Sequence, residues 1–258
     1  MKVSLLQLDI VFGNPVANFK QIREVFQQQT FTPGQLVVLP EMLNTGYDLT
    51  RLEQIADTDG LETQALFAKL AREQEIFLVA GSIARKSGTQ FFNTSYSFAP
   101  TGELLGQYDK VHLFGLMKED QYLAAGAKSL TVAIQQQRVS TVICYDLRFP
   151  EWFRRQASGG TDLFVIPAQW PKQRLDAWKK LLQARAIENQ AFVVGVNRVG
   201  SDPNNQFAGH SLVVDPLGEI ILELGEAPEI GTVELDFTQL ATVRGEIPVI
   251  HDRRPELY

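Results

Sequence analysis

Leu36-Val37-Val38-Leu39-Pro40-Glu41 is a short aliphatic run that ends in proline and passes at once into a carboxylate. A strand that is apolar on both faces belongs in a sheet covered by helices on each side. This stretch therefore predicts a layered α/β protein. Upstream, residues 2–10 read as a strand. Residues 16–29 carry Val16, Phe19, Ile22, Val25 and Phe26 at helical spacing, and Thr32-Pro33-Gly34 marks a turn. Downstream, residues 61–74 read as a helix and residues 76–83 as a strand. Residues 91–99 and 104–108 flank Pro100-Thr101-Gly102 as a hairpin, and residues 130–134 and 139–143 form another. A strand at 163–166, a helix at 175–189 and a strand at 192–196 follow. Residues 212–215 and 219–224 make a third hairpin around Pro216-Leu217-Gly218, and residues 232–236 a last strand.

Strand–helix alternation with inserted hairpins favours an α/β fold with a mixed sheet. About ten or more strands exceed what one open sheet usually carries. Two sheets packed face to face, with helices outside, accommodate them. No linker, low-complexity tract or fixed-period repeat divides the chain, so residues 1–258 are expected to form one domain.

With 258 residues, 45% of them hydrophobic and 21% charged, the composition is that of a globular chain able to bury a large core. The net charge of −6 and the lack of a Lys/Arg run argue against nucleic acid as a partner. The N-terminus alternates and turns acidic at Asp9, unlike a signal peptide. No apolar run approaches the roughly 20 residues that span a bilayer. The single cysteine, Cys144, excludes an internal disulfide and suits a reducing compartment, with cytoplasm as the expectation. Dinucleotide and phosphate-loop glycine motifs are absent, as is the Gly-x-Ser-x-Gly elbow. His112, His210 and His251 lack the paired spacing of a zinc site.

In α/β sheets, ligands gather beyond the carboxyl ends of strands. Three predicted strand ends carry reactive groups: Glu41, Lys110 and Cys144. A carboxylate, an ammonium and a thiol suffice for acyl transfer. A free thiol has a pKa of about 8.5, and an adjacent base and cation raise its reactivity. Glu41 is the candidate base if burial makes it basic enough. Lys110 and the backbone N–H of Tyr145 are candidate oxyanion donors. Taken one at a time, each has an ordinary structural reading: a buried small hydrophobe for Cys144, a surface residue or cap for Glu41, a solvated loop residue for Lys110.

The residues around them sharpen the reading. Leu39-Pro40-Glu41-Met42, Tyr108-Asp109-Lys110-Val111-His112-Leu113-Phe114 and Cys144-Tyr145-Asp146-Leu147-Arg148-Phe149-Pro150-Glu151 resemble the three signatures of the carbon–nitrogen hydrolase (nitrilase) superfamily. Pro167-Ala168-Gln169-Trp170-Pro171, Ala184-Arg185-Ala186-Ile187-Glu188-Asn189-Gln190, Gly209-His210-Ser211 and the tail from Asp252 to Tyr258 fit as well. The matches run nearly the whole length, in order.

The resemblance implies a Glu41–Lys110–Cys144 triad, a four-layer αββα sandwich, a homodimer, and no metal or organic cofactor. It also implies a second glutamate after the lysine. Glu119 is the candidate, and Asp120 competes for the role if the loop register differs. Tyr47, Phe114, Gln169 and Trp170 are candidates for lining the pocket or for plain packing. Arg148 and Arg185 are candidates either for gripping a substrate carboxylate or for structural ion pairs, with Glu188 a natural partner. His112 and His210 read as loop supports. Residues 250–258 form a tail that either docks on a partner subunit or folds back.

Gln169-Trp170-Pro171 and Ala186-Ile187-Glu188-Asn189-Gln190 are most similar to the ω-amidase branch, which implies a small amide substrate such as 2-oxoglutaramate or 2-oxosuccinamate. Ala177 departs from the histidine that many relatives carry before Trp178. Other amides (an N-carbamoyl compound, a deaminated glutathione), nitriles, a non-catalytic binding role and a redox-sensing thiol are the alternatives.

Overall fold

The computed structural model describes residues 1–257. In chain order the first half comprises β1 (Lys2–Gln7), α1 (Pro15–Gln28), β2 (Leu36–Val38), α2 (Leu52–Ile55), β3 (Asp57–Thr58), α3 (Leu61–Glu73), β4 (Phe77–Val79), β5 (Ile83–Ser87), β6 (Gln90–Phe98), β7 (Leu104–Asp109) and α4 (Glu119–Tyr122). The second comprises β8 (Leu130–Ile134), β9 (Gln137–Thr141), α5 (Pro150–Ala157), β10 (Leu163–Ala168), α6 (Leu175–Asn189), β11 (Phe192–Asn197), β12 (Val199–Ser201), β13 (Gln206–Ala208), β14 (Leu212–Val214), β15 (Ile220–Glu223), β16 (Glu229–Glu234) and α7 (Gln239–Glu246).

β12 and β13 pair as a separate two-stranded ribbon, and the other strands form an eight-stranded sheet, ordered β16-β1-β2-β4-β6-β5-β3 with β7 on β6, and a six-stranded sheet, ordered β15-β14-β11-β10-β9-β8. Both are mixed. β1, β2 and β4 run parallel in the first, as do β9, β10 and β11 in the second. Alternation along the strands builds the layers. Val3, Leu5, Leu36, Val38 and Val79 face Val139, Leu163, Val165, Phe192 and Val194 between the sheets. Leu6, Val37, Leu39 and Leu78 face outward onto Phe19, Ile22 and Phe26 of α1 and Leu66, Phe67 and Leu70 of α3. On the far side, Phe164, Ile166 and Val193 pack on Phe153 of α5 and Trp178, Leu182 and Ala186 of α6. The result is the expected αββα sandwich of two mixed sheets.

The three predicted hairpins form, and the helix predicted over residues 175–189 spans α6. Residues 76–83 are not one strand, however. β4 stops at Val79 and β5 starts at Ile83. Between them Gly81 has φ +58°, and a Cβ there would lie 1.8 Å from the carbonyl oxygen of Pro40. Only glycine admits that approach, and it brings the turn against the residue preceding Glu41. The short elements α2, β3, α4, α5, β12, β13 and α7 have no counterpart in the sequence reading, because they carry too few turns or alternations for a periodic signal.

In the tail, Ile250 packs against the outer core of the second sheet and Arg253 Nη1 donates to Ser158 Oγ, while Tyr258 lies outside the described residues. Among the described residues no helix is long and apolar enough to cross a membrane.

Candidate active site

Glu41 follows β2 and is fully buried. Met42 turns the chain with φ +49°, its N–H held by Ser82 Oγ at 2.9 Å. Lys110 follows β7. Its N–H continues the ladder to Asn93 O (2.8 Å), and its carbonyl accepts from Gly126 N–H (2.8 Å). A Cβ on Gly126 would lie 2.0 Å from Asp109 O, so glycine lets this loop close over the lysine. Glu119 is the first residue of α4, presented by Lys118 at φ +61°. Asp120 is exposed, so the loop register gives the buried position to Glu119.

These elements bring one ammonium between two carboxylates. Lys110 Nζ donates to Glu41 Oε1 at 2.9 Å, to Glu119 Oε1 at 2.9 Å, and lies 2.8 Å from Glu119 Oε2. Tyr47 Oη lies 2.8 Å from Glu41 Oε1 and 3.0 Å from Glu119 Oε1. Asn93 Nδ2 lies 2.8 Å from Glu41 Oε1 and 3.3 Å from Glu119 Oε1. Glu41 Oε2 accepts from Gln169 N–H (2.7 Å), and Glu119 Oε2 from Phe114 N–H (2.7 Å).

Cys144 enters from the other sheet. β9 ends at Thr141, earlier than predicted, and Cys144 opens a 3-10 turn through Arg148 with φ +44°. A non-glycine residue in that region carries strain that its surroundings must hold. Asp146 supplies the restraint: its carboxylate accepts from Ile143 N–H (2.9 Å), Tyr108 Oη (2.7 Å) and His112 N–H (2.9 Å), with His112 Nδ1 at 2.7 Å. His112 stacks on Phe149 with ring centroids 3.7 Å apart, as befits a loop support. From behind, Arg185 Nε donates to Leu147 O (3.0 Å) and Nη1 to Glu188 (2.9 Å). Arg185 is 4% exposed, and these contacts make it an ion-pair member that braces the turn.

Burial sets the protonation. It raises the Cys144 thiol well above its ordinary value, and Glu41 raises it further against the opposing pull of Lys110. For Lys110, burial alone lowers the ammonium, but Glu119 and Glu41 more than offset this and leave it raised and charged. Glu119 is raised chiefly by burial. Tyr47 is raised by burial and by both carboxylates, so it remains a hydroxyl donor.

Cys144, 4% exposed, lines a narrow cleft with Phe114, Tyr145, Arg148, Gln169, Trp170, Pro171 and Arg174. Arg148 lies over the Trp170 ring at 5.0 Å and Arg174 over Phe114 at 5.7 Å. Among the described residues neither is paired with a carboxylate. Arg174 was not anticipated; its place at the start of a helix after Gln169-Trp170-Pro171 is the signal that was available. Tyr47 is not in this wall, because its hydroxyl is taken up by the two glutamates. Gln169 reaches the cleft, but its two donors hold Glu41: N–H to Oε2 and Nε2 to the backbone carbonyl at 2.8 Å. Ala177 leaves the buried Trp178 intact, whose Nε1 donates to His210 O (2.8 Å). A wider surface depression lies elsewhere, beside Pro150, Arg154, Ile247 and Arg253, and is lined by none of Glu41, Lys110, Glu119 and Cys144.

The carbon–nitrogen hydrolase family model matches residues 2–245. The chain is 43% identical to 2-oxoglutaramate amidase of Bacillus subtilis, over 99% of this chain and 98% of that protein. It is 35% identical to an omega-amidase of Yersinia enterocolitica, over 98% and 96%. The crystal structure of a CN-hydrolase superfamily protein from Xanthomonas campestris, with an arsenic adduct in its active site, superposes with a TM-score of 0.92 at 32% identity, covering 98% and 97% of the two chains.

Proposed function

The chain belongs to the carbon–nitrogen hydrolase family and is an amidase, and from that premise we propose that it is an ω-amidase acting on 2-oxoglutaramate or 2-oxosuccinamate through Cys144. The observation that carries the substrate reading is the pair Arg148 and Arg174, two cations without a carboxylate partner in the cleft of the nucleophile. A guanidinium recognises a carboxylate through paired N–H donors. An amide that bears a carboxylate at its far end matches that arrangement.

In the proposed reaction the thiol proton passes to Glu41 as sulfur attacks the amide carbon. The Lys110 ammonium and the Tyr145 N–H hold the oxyanion; one such donor is typically worth about 3–4 kcal/mol of barrier. Glu119 keeps Lys110 charged and oriented. As the C–N bond breaks, Glu41 returns the proton to the leaving nitrogen, ammonia departs and a thioester remains on Cys144. Water gives a proton to Glu41 and attacks the thioester. The carboxylic acid leaves and the thiol is restored. The raised thiol pKa supports this order, since it keeps sulfur protonated until substrate and Glu41 act together.

Ammonia release from 2-oxoglutaramate, beside glutamine, asparagine, N-carbamoyl amino acids and a simple nitrile, tests the reading. Turnover of the 2-oxo amide that vanishes in Cys144→Ala is expected. Activity confined to another compound would sink the ω-amidase assignment and keep the family chemistry.

The chain is also proposed to work as a single-domain homodimer in the cytoplasm. Its lone cysteine supports a reducing compartment, and exposed Ile247 and Leu257 support pairing through the C-terminal segment. Deleting residues 250–258 should lower the mass in solution; an unchanged dimer would remove the tail from the interface.

A further inference from the structure

Glu41 leaves β2 in the eight-stranded sheet, and Cys144 follows β9 in the six-stranded one. Base and nucleophile thus sit on different layers, and their separation depends on side chains that tie one sheet to the other. We infer that Arg198 is a positioning residue that acts through Gln169 to hold Glu41 in register with Cys144. This rests on Glu41 being the proton acceptor.

Arg198 is fully buried at the carboxyl end of β11. Its Nη2 donates to Asp9 Oδ1 (2.6 Å) and Ile10 O (2.9 Å), just past β1 in the first sheet, and its Nε donates to Val199 O (2.8 Å). The guanidinium is stacked on Phe207 at 4.5 Å, which fixes its plane. The remaining nitrogen, Nη1, donates to Gln169 Oε1 at 3.2 Å.

An amide side chain has two flip states, and a guanidinium only donates. Arg198 therefore selects the state in which Gln169 Oε1 faces the cation and Nε2 faces the carbonyl of Glu41. With the side chain anchored in that state, the backbone N–H of the same residue lies on Glu41 Oε2, the oxygen that Lys110, Tyr47 and Asn93 leave open. Without Arg198, Gln169 Oε1 loses its donor and the amide is held by the Glu41 carbonyl alone, so Gln169 and the Glu41 backbone it anchors are free to shift away from Cys144.

The test compares full-length Arg198→Lys and Arg198→Met with wild type, on whichever amide of the panel turns over best. Misplacing a reacting group by about 1 Å costs on the order of a hundredfold. The expected result is a graded fall in kcat, about tenfold for Lys and up to about a hundredfold for Met, with KM within about threefold. Alkylation of Cys144 by iodoacetamide slows in the same order. A merely structural arginine would lower the melting temperature and leave kcat per folded enzyme and the alkylation rate unchanged, and that result overturns the inference. If the Met variant does not fold, the Lys variant decides alone, and wild-type kcat in it is the overturning outcome. Glu41→Gln separates the two readings: an active Glu41→Gln removes the base assignment, whereas an inactive Glu41→Gln beside unaffected Arg198 variants removes the positioning role only.

Discussion

On one side of Cys144, Glu41, Glu119, Lys110, Tyr47 and Asn93 bond to one another in full burial or nearly so. On the other, Arg148 and Arg174 lie across aromatic rings with no carboxylate paired to either among the described residues. Both regions are charged, but their charges are managed in opposite ways. A charge held in the interior survives only when paired and hydrogen-bonded, so the first region is a fixed framework. A cation left open in a cleft keeps its donors for an anion from outside, so the second is the part proposed to meet substrate. Arg185 and Arg198 mark the boundary: both are buried, and both spend their donors on protein oxygens.

The largest effects should come from the framework. Cys144→Ala and Lys110→Met are expected to lower kcat by at least about a thousandfold, read as ammonia release, since in the proposed reaction one loses the bond-forming atom and the other an oxyanion donor. Glu119→Gln keeps the shape but removes the charge that helps hold Lys110 protonated. A fall in kcat of about a hundredfold with little change in KM is expected, and a rise in KM alone would move Glu119 to the substrate side.

The cleft should respond through KM instead. A charge-assisted hydrogen bond contributes about 1.5–3 kcal/mol. Arg174→Met or Arg148→Met should therefore raise KM for 2-oxoglutaramate about tenfold or more and leave a neutral amide such as propionamide unaffected. Equal losses on both substrates would erase the distinction between the two regions. Tyr47→Phe sharpens it: loss of a donor to both glutamates should cost about tenfold in kcat with KM unchanged, whereas a change in KM alone would return Tyr47 to the substrate wall.

The smallest effect is on stability. The Cys144 thiol is raised in the folded chain above its unfolded value of about 8.5. Below that pH both states hold the proton and the residue is neutral to stability. Above it the unfolded chain loses the proton first, so stability falls as pH rises toward the folded pKa. Between pH 8.5 and 9.5 this amounts to about 1 kcal/mol. Cys144→Ala should show a shallower alkaline decline in melting temperature; parallel curves would mean that burial does not raise the thiol.

Periodicity and strand-end position made the layers and the trio Glu41, Lys110 and Cys144 legible in the chain, because both depend on near neighbours. Resemblance added Glu119. Less accessible were groups that act at a distance. Asn93 lies inside a strand and looks like any polar residue there, and Asp146 matters because Tyr108 and His112 come to it from the other sheet. The strand-end rule that found Cys144 applies equally to Arg198, which follows β11, yet its meaning depends on Asp9 arriving from the far end of the chain.

The amino-acid sequence alone determined which chemical groups are available and that a two-sheet sandwich would present them at strand ends, since apolar spacing selects strand, helix and face locally. Only the tertiary structure decided that Arg174 rather than Arg185 faces the nucleophile, that Tyr47 belongs to the glutamates, and that Gln169 serves Glu41 across 128 residues of chain. Those assignments depend on the lateral placement of loops from two separate sheets, and that placement is set by packing between the layers rather than by any pattern along the chain.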